Sequence, residues 1–524
     1  MAKELKFGTG GLRGKLGDGP DKMNITTVTR ATQGLALYIQ SFGEEACKRG
    51  VVIAYECRRM SPEFAEATAL CLNANGIPTF VFDSLRPTPE LSYAVRFLNC
   101  IAGVVITASH NPPEYNGYKV YWEDGAQIVS PHDKGIMGCI GKSEVRSMSK
   151  DEAEAAGLFN VVGKEIDEAY YEDVIKQAIH PDLVSRMAPR VKVVYTPLHG
   201  TGCVPVQEIL RRMGFSSVYV VEAQAVADGD FPTCESPNPE NSSAFKLALE
   251  LADEVDADIV MATDPDADRL GVYVKDRNGA CAGTFLSEDE AYPYVRFNGN
   301  VSGTLMAEYV CRERSVLGTL PADGVVVSTI VSSNLCRRIA EEYGLIYMET
   351  LTGFKYVGEK IHEFEMSGEH HFVYGMEESF GCLVGDYTRD KDACGAVVMM
   401  CEMAAFYMEK GKTLCDALVE LYEKYGWYVE GQKSVKYDTE DGAVEMAAVV
   451  EGYRKEPPTE VDGKKVVAVR DYLVEGTGLP KSNVIYFELE DDAWMAVRPS
   501  GTEPKVKYYW GVKGEKDIGM FYIG

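Results

Sequence analysis

The chain has 524 residues, of which 46% are hydrophobic, 25% charged and 10% aromatic. At roughly 150 residues per domain, this length exceeds what one hydrophobic core can organise and predicts three or four domains. The formal net charge of −27 excludes extended binding to nucleic acid or to an anionic membrane surface, so an anionic substrate would need a local basic pocket.

The first residues do not resemble a signal peptide, and no run approaches the roughly 18 apolar residues of a membrane span. We therefore expect a cytoplasmic protein, either a monomer or a homodimer.

The fourteen cysteines are scattered along the chain, and several lie in apolar runs, as Cys71 and Cys401 do. They predict free buried thiols and not a disulfide framework.

Short runs of apolar, β-branched residues are typical of buried parallel strands. Such runs occur, in chain order, at 51–54, 103–106, 191–195, 259–261 and 325–327. Helical periodicity separates them, as in the stretch that follows Ser61-Pro62 and ends at Gly76. This alternation predicts an α/β fold built from open sheets.

Two of these predicted strands, at 103–106 and 259–261, and a further apolar run, HFVY at 371–374, end in unusual loops. In open α/β sheets ligands bind at the carboxyl ends of strands. The loops are TASHNPP, TDPDADR and GMEESFG. Three α/β units would thus each contribute one loop to a shared cleft.

The last hundred residues, with the helix-like DGAVEMAAVVEGYRK and the loop RPSGTEPK, predict a smaller α+β domain. We place the domains at 1–185, 186–303, 304–424 and 425–524.

Ser109 lies in the first loop, between a predicted strand and two prolines that stiffen the chain. A hydroxyl held at a strand end can act as a nucleophile. The adjacent His110 is weak support, because the base that activates a serine is usually distant in sequence. Taken alone, the segment favours a serine that caps a turn or a helix.

Asp264, Asp266 and Asp268 alternate in the second loop. Three carboxylates this close repel one another unless a cation joins them, and magnesium fits best because phosphate and water can complete its shell. An EF-hand is excluded, since its sixth and twelfth loop positions require Gly and Glu and are Arg269 and Lys275 here. An aspartyl-phosphate phosphatase, which uses a similar Asp-x-Asp, remains an alternative.

The third and fourth loops offer groups for a phosphorylated sugar. Glu377 and Ser379 in GMEESFG suit sugar hydroxyls, although a solvated turn would look the same. RPSGTEPK combines a guanidinium, hydroxyls and a glycine, which together can hold a phosphate without reacting with it; a plain hairpin turn is the alternative. The candidate residues of this loop are Arg498, Ser500, Gly501, Thr502 and Lys505.

Further basic residues stand in glycine-rich surroundings, against the acidic trend of the chain. They are Arg13, Lys119, Lys355 and Lys391. Arg13 belongs to FGTGGLRG, which is not a P-loop, because no strand precedes it and no Gly-Lys-Ser/Thr follows.

Together these segments resemble the α-D-phosphohexomutase family, and within it the phosphoglucomutase and phosphopentomutase type. The resemblance covers nearly the whole chain through ordered motifs: FGTGGLRG, RPTPELSYAV, TASHNPPEYNGYKVY, TPLHGTG, ATDPDADR, TGFK, GMEESFG, RDKDA and RPSGTEPK. It implies three related α/β domains with mixed sheets around a central cleft, and a C-terminal α+β domain that closes over the substrate.

The resemblance also implies roles for individual residues. Ser109 would carry the phosphoryl group and, with Asp264, Asp266 and Asp268, hold one Mg²⁺ per chain. The residues implied around the transferring phosphoryl group are Arg13, His110, Lys119, Arg269 and Lys391. The residues implied in substrate binding are Lys355, Glu377, Ser379, Arg498, Ser500, Gly501, Thr502 and Lys505.

The implied reaction interconverts glucose 1-phosphate and glucose 6-phosphate through glucose 1,6-bisphosphate, which is both intermediate and activator. A base must take the proton of the attacking hydroxyl, with Lys391 or His110 as candidates. Phosphopentomutase, phosphomannomutase and glucose 1,6-bisphosphate synthase share this chemistry. A metal-dependent phosphatase and an inactive phosphosugar-binding relative are alternatives from other classes.

Two features depart from the family pattern. Glu56-Cys57 stand where the family usually has Asp-Ser or Asp-Thr, which we expect to perturb support for the Ser109 loop while leaving Arg58 in place. The chain also ends soon after Tyr508-Tyr509-Trp510, where relatives usually continue into a helix, so we expect altered stability or closure of the last domain.

Overall fold

The computed structural model describes residues 4–8, 10–288, 291–439, 441–474, 476–500 and 504–516, which form four sheets. No helix within these ranges is long and apolar enough to cross a membrane. All fourteen cysteines are free thiols and nine of them are buried, as the sequence predicts.

The first sheet has six strands. They are β1 (Gly11–Lys15), β2 (Val51–Tyr55), β3 (Thr79–Phe82), β4 (Ala102–Ile106), β5 (Tyr115–Trp122) and β6 (Phe159–Val162), in the order β1-β5-β4-β2-β3-β6. Strand β5 runs antiparallel between β1 and β4, and the remaining pairs are parallel. The helices are α1 (Ile25–Gln40), α2 (Glu44–Arg49), α3 (Ser61–Ala74), α4 (Thr88–Phe97), α5 (His132–Cys139) and α6 (Lys150–Ala155).

Helices α7 (Lys164–Ile175) and α8 (Pro181–Met187) lead to the second sheet. Its strands are β7 (Val193–Thr196), β8 (Val218–Val220), β9 (Ile259–Thr263), β10 (Leu270–Lys275) and β11 (Tyr294–Phe297), in the order β11-β10-β9-β7-β8. Strand β10 is antiparallel to both of its neighbours. The helices are α9 (Cys203–Arg212), α10 (Glu222–Ala225) and α11 (Lys246–Val255).

The third sheet follows helix α12 (Gly299–Val316). Its strands are β12 (Gly324–Thr329), β13 (Ile346–Thr350), β14 (His371–Glu377) and β15 (Gly381–Val384), in the order β13-β12-β14-β15 with only β15 antiparallel. The helices are α13 (Leu335–Glu342), α14 (Lys355–Ser367), α15 (Ala393–Glu409) and α16 (Leu414–Tyr425).

Helix α15 is apolar on nearly all sides, so it must be buried all round. It lies in one continuous core that includes Val52 of the first sheet, Tyr195 of the second and Val326 of the third. The three α/β units are therefore packed together around a shared interior, which fixes their loops relative to one another.

The fourth sheet is antiparallel throughout. Its strands are β16 (Trp427–Lys436), β17 (Glu460–Val461), β18 (Lys464–Asp471), β19 (Ile485–Leu489), β20 (Trp494–Pro499) and β21 (Lys505–Gly514), in the order β16-β21-β20-β19-β18-β17. Helix α17 (Gly442–Lys455) packs on β20 and β21.

The structure confirms the predicted fold class of three α/β units with mixed sheets and a C-terminal α+β domain. Each of the five predicted strands is present to within two residues, as β2, β4, β7, β9 and β12. The predicted helix after Ser61-Pro62 is α3, and Gly76 with a φ of 76° follows its end. The helix-like segment of the last hundred residues is α17.

Candidate active site

Ser109 lies just beyond the end of β4, where the chain reverses into β5, so no helix follows it. It is 2% exposed and has a left-handed backbone with a φ of 53°, a conformation that surrounding contacts must hold in a non-glycine residue. Its N–H donates to Thr107 Oγ1 at 2.7 Å. Its Oγ lies 3.1 Å from His110 Nδ1 and donates to Asp264 Oδ2 at 2.9 Å. Ser109 is therefore not a helix cap and faces the aspartate loop.

A buried ion pair beneath this loop holds it in place. Glu56 Oε1 accepts from Arg58 Nε at 2.7 Å, from Thr107 Oγ1 at 2.7 Å and from the Ala108 N–H at 2.9 Å. Burial raises the pKa of Glu56, and the guanidinium of Arg58 opposes that rise. Arg58 donates to four main-chain carbonyls, those of Ser109, Asn111, Pro112 and Tyr115. Glu56 therefore still contacts the Ser109 loop. The expected loss of support for this loop at Glu56-Cys57 is not seen, because Glu56 and Arg58 both bind the loop.

Glu56→Gln is expected to lower the free energy of unfolding by about 3 kcal/mol, because it leaves the buried Arg58 without its counter-charge. Urea denaturation monitored by circular dichroism measures the loss. The matched control is Glu114→Gln, since the Glu114 ion pair with Lys15 at 3.3 Å is half exposed and such pairs contribute about 0–1 kcal/mol. Equal losses in the two variants would contradict the prediction.

The three aspartates of the second loop follow β9 directly. One oxygen from each of Asp264, Asp266 and Asp268 lies within 4.8 Å of the others, and all three residues are buried. Asp266 Oδ1 and Asp268 Oδ1 are buried without a hydrogen-bond partner in the described part of the chain. Because buried polar atoms normally have partners, these hard oxygen donors fit a divalent cation.

The aspartate loop is tied to the starts of two helices. The Thr88 N–H at the start of α4 donates to Asp266 O at 2.9 Å, and Thr88 Oγ1 donates to Asp266 Oδ2 at 2.9 Å. The Ala393 N–H at the start of α15 donates to Ala267 O at 3.2 Å. Helix N-termini stabilise nearby negative charge. Sequence reasoning missed Thr88, because no local signal marks a contact with a residue 178 positions away.

Two lysines from different units neutralise part of this charge. Lys119 Nζ, from β5, lies 2.8 Å from Asp266 Oδ2 and 3.4 Å from Asp268 Oδ2. Lys391 Nζ, just before α15, lies 3.0 Å from Asp268 Oδ2. Burial opposes ionisation of Asp268, but Lys391 and Lys119 outweigh it and hold its pKa below the ordinary value. No lysine of the described ranges forms an ion pair with Asp264, and burial together with the other two carboxylates raises its pKa.

Three more predicted residues border the cluster. The Arg269 N–H donates to Asp264 Oδ1 at 3.0 Å, while the guanidinium pairs with Glu240, which sequence reasoning missed. Burial, followed by the charges of Arg269 and Arg13, lowers the pKa of His110 well below the ordinary value. Arg13 lies on β1, opposite Gly117 of β5, with an exposed side chain.

The third loop is the turn between β14 and β15. Glu377 ends β14, is 5% exposed, and has its pKa raised by burial. Lys391 Nζ lies 3.8 Å from Glu377 Oε1, which links this loop to the aspartates. Ser379 lies half-buried in the turn. Glu378 is engaged elsewhere, because its Oε2 accepts from Thr329 Oγ1 at 2.8 Å.

The fourth loop joins β20 and β21. In the antiparallel pair of β20 and β21, Arg498 lies opposite Lys507. The Ser500 N–H donates to Lys505 O at 2.7 Å. The predicted residues Gly501 and Thr502 lie outside the described residues.

The basic strands beside this loop face carboxylates of other units. Burial lowers the pKa of Lys507, the charges of Lys505 and Arg498 lower it further, and Glu240 and Glu378 oppose this. Carboxylates of the second and third units thus act on the basic strands of the fourth sheet.

Lys355, the first residue of α14, lies half-buried. Burial lowers its pKa, and the charges that oppose this belong to Asp133 and Glu359. Its surroundings are thus distinct from those of Ser109. The predicted residues that the structure brings together around Ser109 are His110, Lys119, Asp264, Asp266, Asp268, Arg269, Glu377 and Lys391.

Three families match the chain in order: phosphoglucomutase/phosphomannomutase alpha/beta/alpha domain I at residues 4–146, domain II at 168–279 and domain III at 298–425. The chain is 37% identical to a phosphoglucomutase of Staphylococcus epidermidis, with 96% of this chain and 90% of that protein covered. The chain belongs to the phosphoglucomutase/phosphomannomutase family. A Staphylococcus aureus phosphoglucomutase is 35% identical, with 97% and 90% covered.

Solved structures share the fold of this phosphohexomutase. A putative phosphomannomutase from Thermus thermophilus aligns with a TM-score of 0.73 at 22% identity, covering 98% of this chain and 96% of that one. Parafusin, a phosphoglucomutase from Paramecium in an open form, aligns with a TM-score of 0.73 at 18% identity, covering 99% and 92%. Family membership confirms the resemblance and makes the chain an isomerase-class enzyme that transfers a phosphoryl group within a sugar phosphate.

Proposed function

We propose that the enzyme interconverts glucose 1-phosphate and glucose 6-phosphate, with Ser109 as the phosphoryl carrier and glucose 1,6-bisphosphate as the intermediate. The observation that carries the proposal is the 2.9 Å contact of Ser109 Oγ with Asp264, beside two buried carboxylate oxygens that accept no hydrogen bond from any residue the structure describes. The names of the staphylococcal relatives support glucose as the sugar.

Asp264, Asp266 and Asp268 are proposed to hold magnesium together with the phosphate on Ser109. One buried oxygen on each of Asp266 and Asp268 has no hydrogen bond within the described residues, which supports this assignment. When bound, magnesium supplies charge neutralisation at the phosphoryl oxygens. The protein's own contribution is a buried set of oxygens on a loop that accepts hydrogen bonds from Thr88 and Ala393.

Cationic side chains are proposed to hold the transferring phosphoryl group. Lys119 and Lys391 reach the aspartates from two different units, the main-chain N–H of Arg269 donates to Asp264, and the charge of Arg13 acts on the same loop. Fixed positive charge that needs no reorganisation lowers the energy of the transition state most effectively in a site shielded from water. Together with a bound divalent cation, these side chains would supply the local positive charge that an anionic substrate requires in a chain with a net charge of −27.

Two proton transfers accompany the reaction, one at the serine oxygen and one at the sugar hydroxyl. His110 Nδ1 lies 3.1 Å from Ser109 Oγ, which suits it to exchange a proton with the serine oxygen. Lys391 lies between Asp268 at 3.0 Å and Glu377 at 3.8 Å, and thus between the phosphoryl site and the sugar loop. Burial opposes the charged form of Lys391, but the neighbouring carboxylates, Asp268 first among them, outweigh it and raise its pKa well above the ordinary value. Lys391 therefore stays protonated, and we assign to it the orientation of the sugar hydroxyl and not the removal of its proton.

The sugar is proposed to lie between the third and fourth loops. Glu377 and Ser379 would bind its hydroxyls. The groups proposed for its second phosphate are Lys355, Arg498, Ser500, Gly501, Thr502 and Lys505. The half-buried Arg498 and the cationic neighbours of Lys507 support this placement. The proposed domains are 1–185, 186–303, 304–424 and 425–524, and the last would close on the cleft and exclude water.

The proposal is tested with purified enzyme, magnesium and catalytic glucose 1,6-bisphosphate, assayed on the 1-phosphates of glucose, mannose and ribose. We expect kcat/KM to be highest for glucose 1-phosphate, by about tenfold or more. Peptide mass spectrometry should show phosphate on Ser109. A preference for ribose or mannose would make the enzyme a phosphopentomutase or a phosphomannomutase. Net accumulation of the bisphosphate would indicate a synthase.

A further inference from the structure

His199, in the motif TPLHGTG, ties down a segment of the second α/β unit. The residue is 1% exposed and follows β7. Its Nδ1 lies 2.8 Å from Val226 O, and its Nε2 lies 2.8 Å from Thr233 Oγ1. A carbonyl can only accept, so in the neutral ring Nδ1 donates and Nε2 accepts from the threonine hydroxyl. The imidazole therefore fixes both ends of the 226–233 segment.

A glutamine completes this network, so that each side-chain group has a definite direction. Gln224 Nε2 donates to Thr233 Oγ1 at 3.0 Å, which leaves the threonine proton for His199. Gln224 Oε1 accepts from Thr196 Oγ1 at 2.6 Å, at the end of β7. Buried networks in which every member is satisfied hold one geometry and resist rearrangement.

The fixed segment presses against the first α/β unit. Gly229 comes so close that a Cβ there would lie 2.7 Å from both Arg59 N and Cys57 O. Asp230 forms an ion pair with Arg59. The ring of Phe231, 1% exposed, lies 4.9 Å from the Arg58 guanidinium. A buried guanidinium over an aromatic face is attracted to the ring.

The other side of the same guanidinium meets the Ser109 loop. Arg58 donates to the carbonyls of Ser109, Asn111, Pro112 and Tyr115. Those hydrogen bonds fix the guanidinium in its own plane, and the ring of Phe231 limits movement out of that plane. Beside this contact, Ser236 Oγ donates to His110 O at 3.2 Å, a second link from the second unit to the loop.

We propose that Phe231 and His199 are positioning residues for the phosphoryl-carrying serine. His199 fixes the 226–233 segment, Phe231 orients Arg58, and Arg58 sets the main chain of Ser109 against Asp264. This inference rests on the proposed function and extends it to residues that touch neither metal nor sugar. A displacement of about 1 Å at a reacting group can lower a rate by about 100-fold, so a partial loosening has a measurable effect.

The test compares Phe231→Leu, which removes the aromatic face, with Phe231→Tyr, which retains it. We expect Phe231→Leu to lower kcat about tenfold, with KM for glucose 1-phosphate changed by less than about twofold. Phe231→Tyr should keep a kcat close to that of the wild type. His199→Asn, which cannot reach Thr233, should lower kcat in the same way. Each variant with a lowered kcat should also show slower phosphorylation of Ser109 by glucose 1,6-bisphosphate, measured by mass spectrometry.

The matched control is Phe215→Leu, because Phe215 is a buried phenylalanine of the same unit outside the 226–233 segment. It should lower the melting temperature as Phe231→Leu does while leaving kcat unchanged. An unchanged kcat in Phe231→Leu, or an equal loss in Phe215→Leu, would overturn the positioning role. Wild-type protein without turnover would instead overturn the proposed function, so the two failures are distinguishable.

Discussion

Ser109→Ala is expected to abolish mutase turnover, with kcat lowered by roughly 10⁴-fold or more, because the hydroxyl that would carry the phosphoryl group is gone. Incorporation of phosphate from glucose 1,6-bisphosphate, measured on the intact protein by mass spectrometry, should vanish with it. The fold should persist, since the substitution removes one oxygen from a loop that Arg58 and Glu56 hold through the main chain and through Thr107.

A matched control for this substitution is Ser84→Ala. Ser84 follows β3, the end of another strand in the same sheet, but it is exposed and its hydrogen bonds are local: it donates to Asp83 at 3.0 Å and accepts from Arg86 at 2.5 Å. It should retain wild-type turnover. Turnover that survives Ser109→Ala but is lost in Asp266→Asn would contradict the mutase mechanism and favour an aspartyl-phosphate phosphatase.

Asp264→Asn is expected to lower turnover by roughly 10³-fold and to remove the response of the protein to magnesium. Asparagine keeps Oδ1, which accepts from the N–H groups of Asp268 and Arg269, and its amide can still meet Ser109. The change therefore removes charge and little else. Because burial and the two neighbouring carboxylates raise the pKa of Asp264, the metal-free variant should be no less stable than the wild type.

Thermal unfolding with and without magnesium measures both parts of this prediction. Binding at about 100 times Kd stabilises the folded wild type by about 2.7 kcal/mol, and the variant should show no such gain. Asp253→Asn, at an exposed position of α11, is the control and should keep the full response. A variant that still gains stability from magnesium would contradict the assignment of Asp264 as a ligand.

The distribution of charge explains how so acidic a chain can bind an anion. Lys119 and Lys391 each have side chains only 12% exposed, and both contact Asp268. Fixed in this way, the two cations stay in the cleft and keep their orientation. The acidic surface repels large polyanions over a distance, while a small phosphosugar would meet these two lysines inside the site.

Much of the candidate site was predictable because its residues lie in short loops after recognisable strands. Ser109 follows β4, Asp264 follows β9 and Glu377 ends β14, so the α/β pattern alone places all three near sheet edges where ligands bind. The supporting residues were not predictable in this way. Thr88, Glu240 and Phe231 act through contacts with residues far away in the chain, and a sequence gives no local sign of such partners.

The sequence by itself determined the alternation of strands and helices, the three strand-end loops, the need for a cation among the alternating aspartates and the family of the chain. These are local properties, set by side-chain type and spacing. Only the tertiary structure decided that Ser109 donates to Asp264, that lysines of two units meet at Asp268, and that Arg58 lies between the serine loop and Phe231. Such contacts depend on how three α/β units pack around one core, and packing is a property of the whole chain.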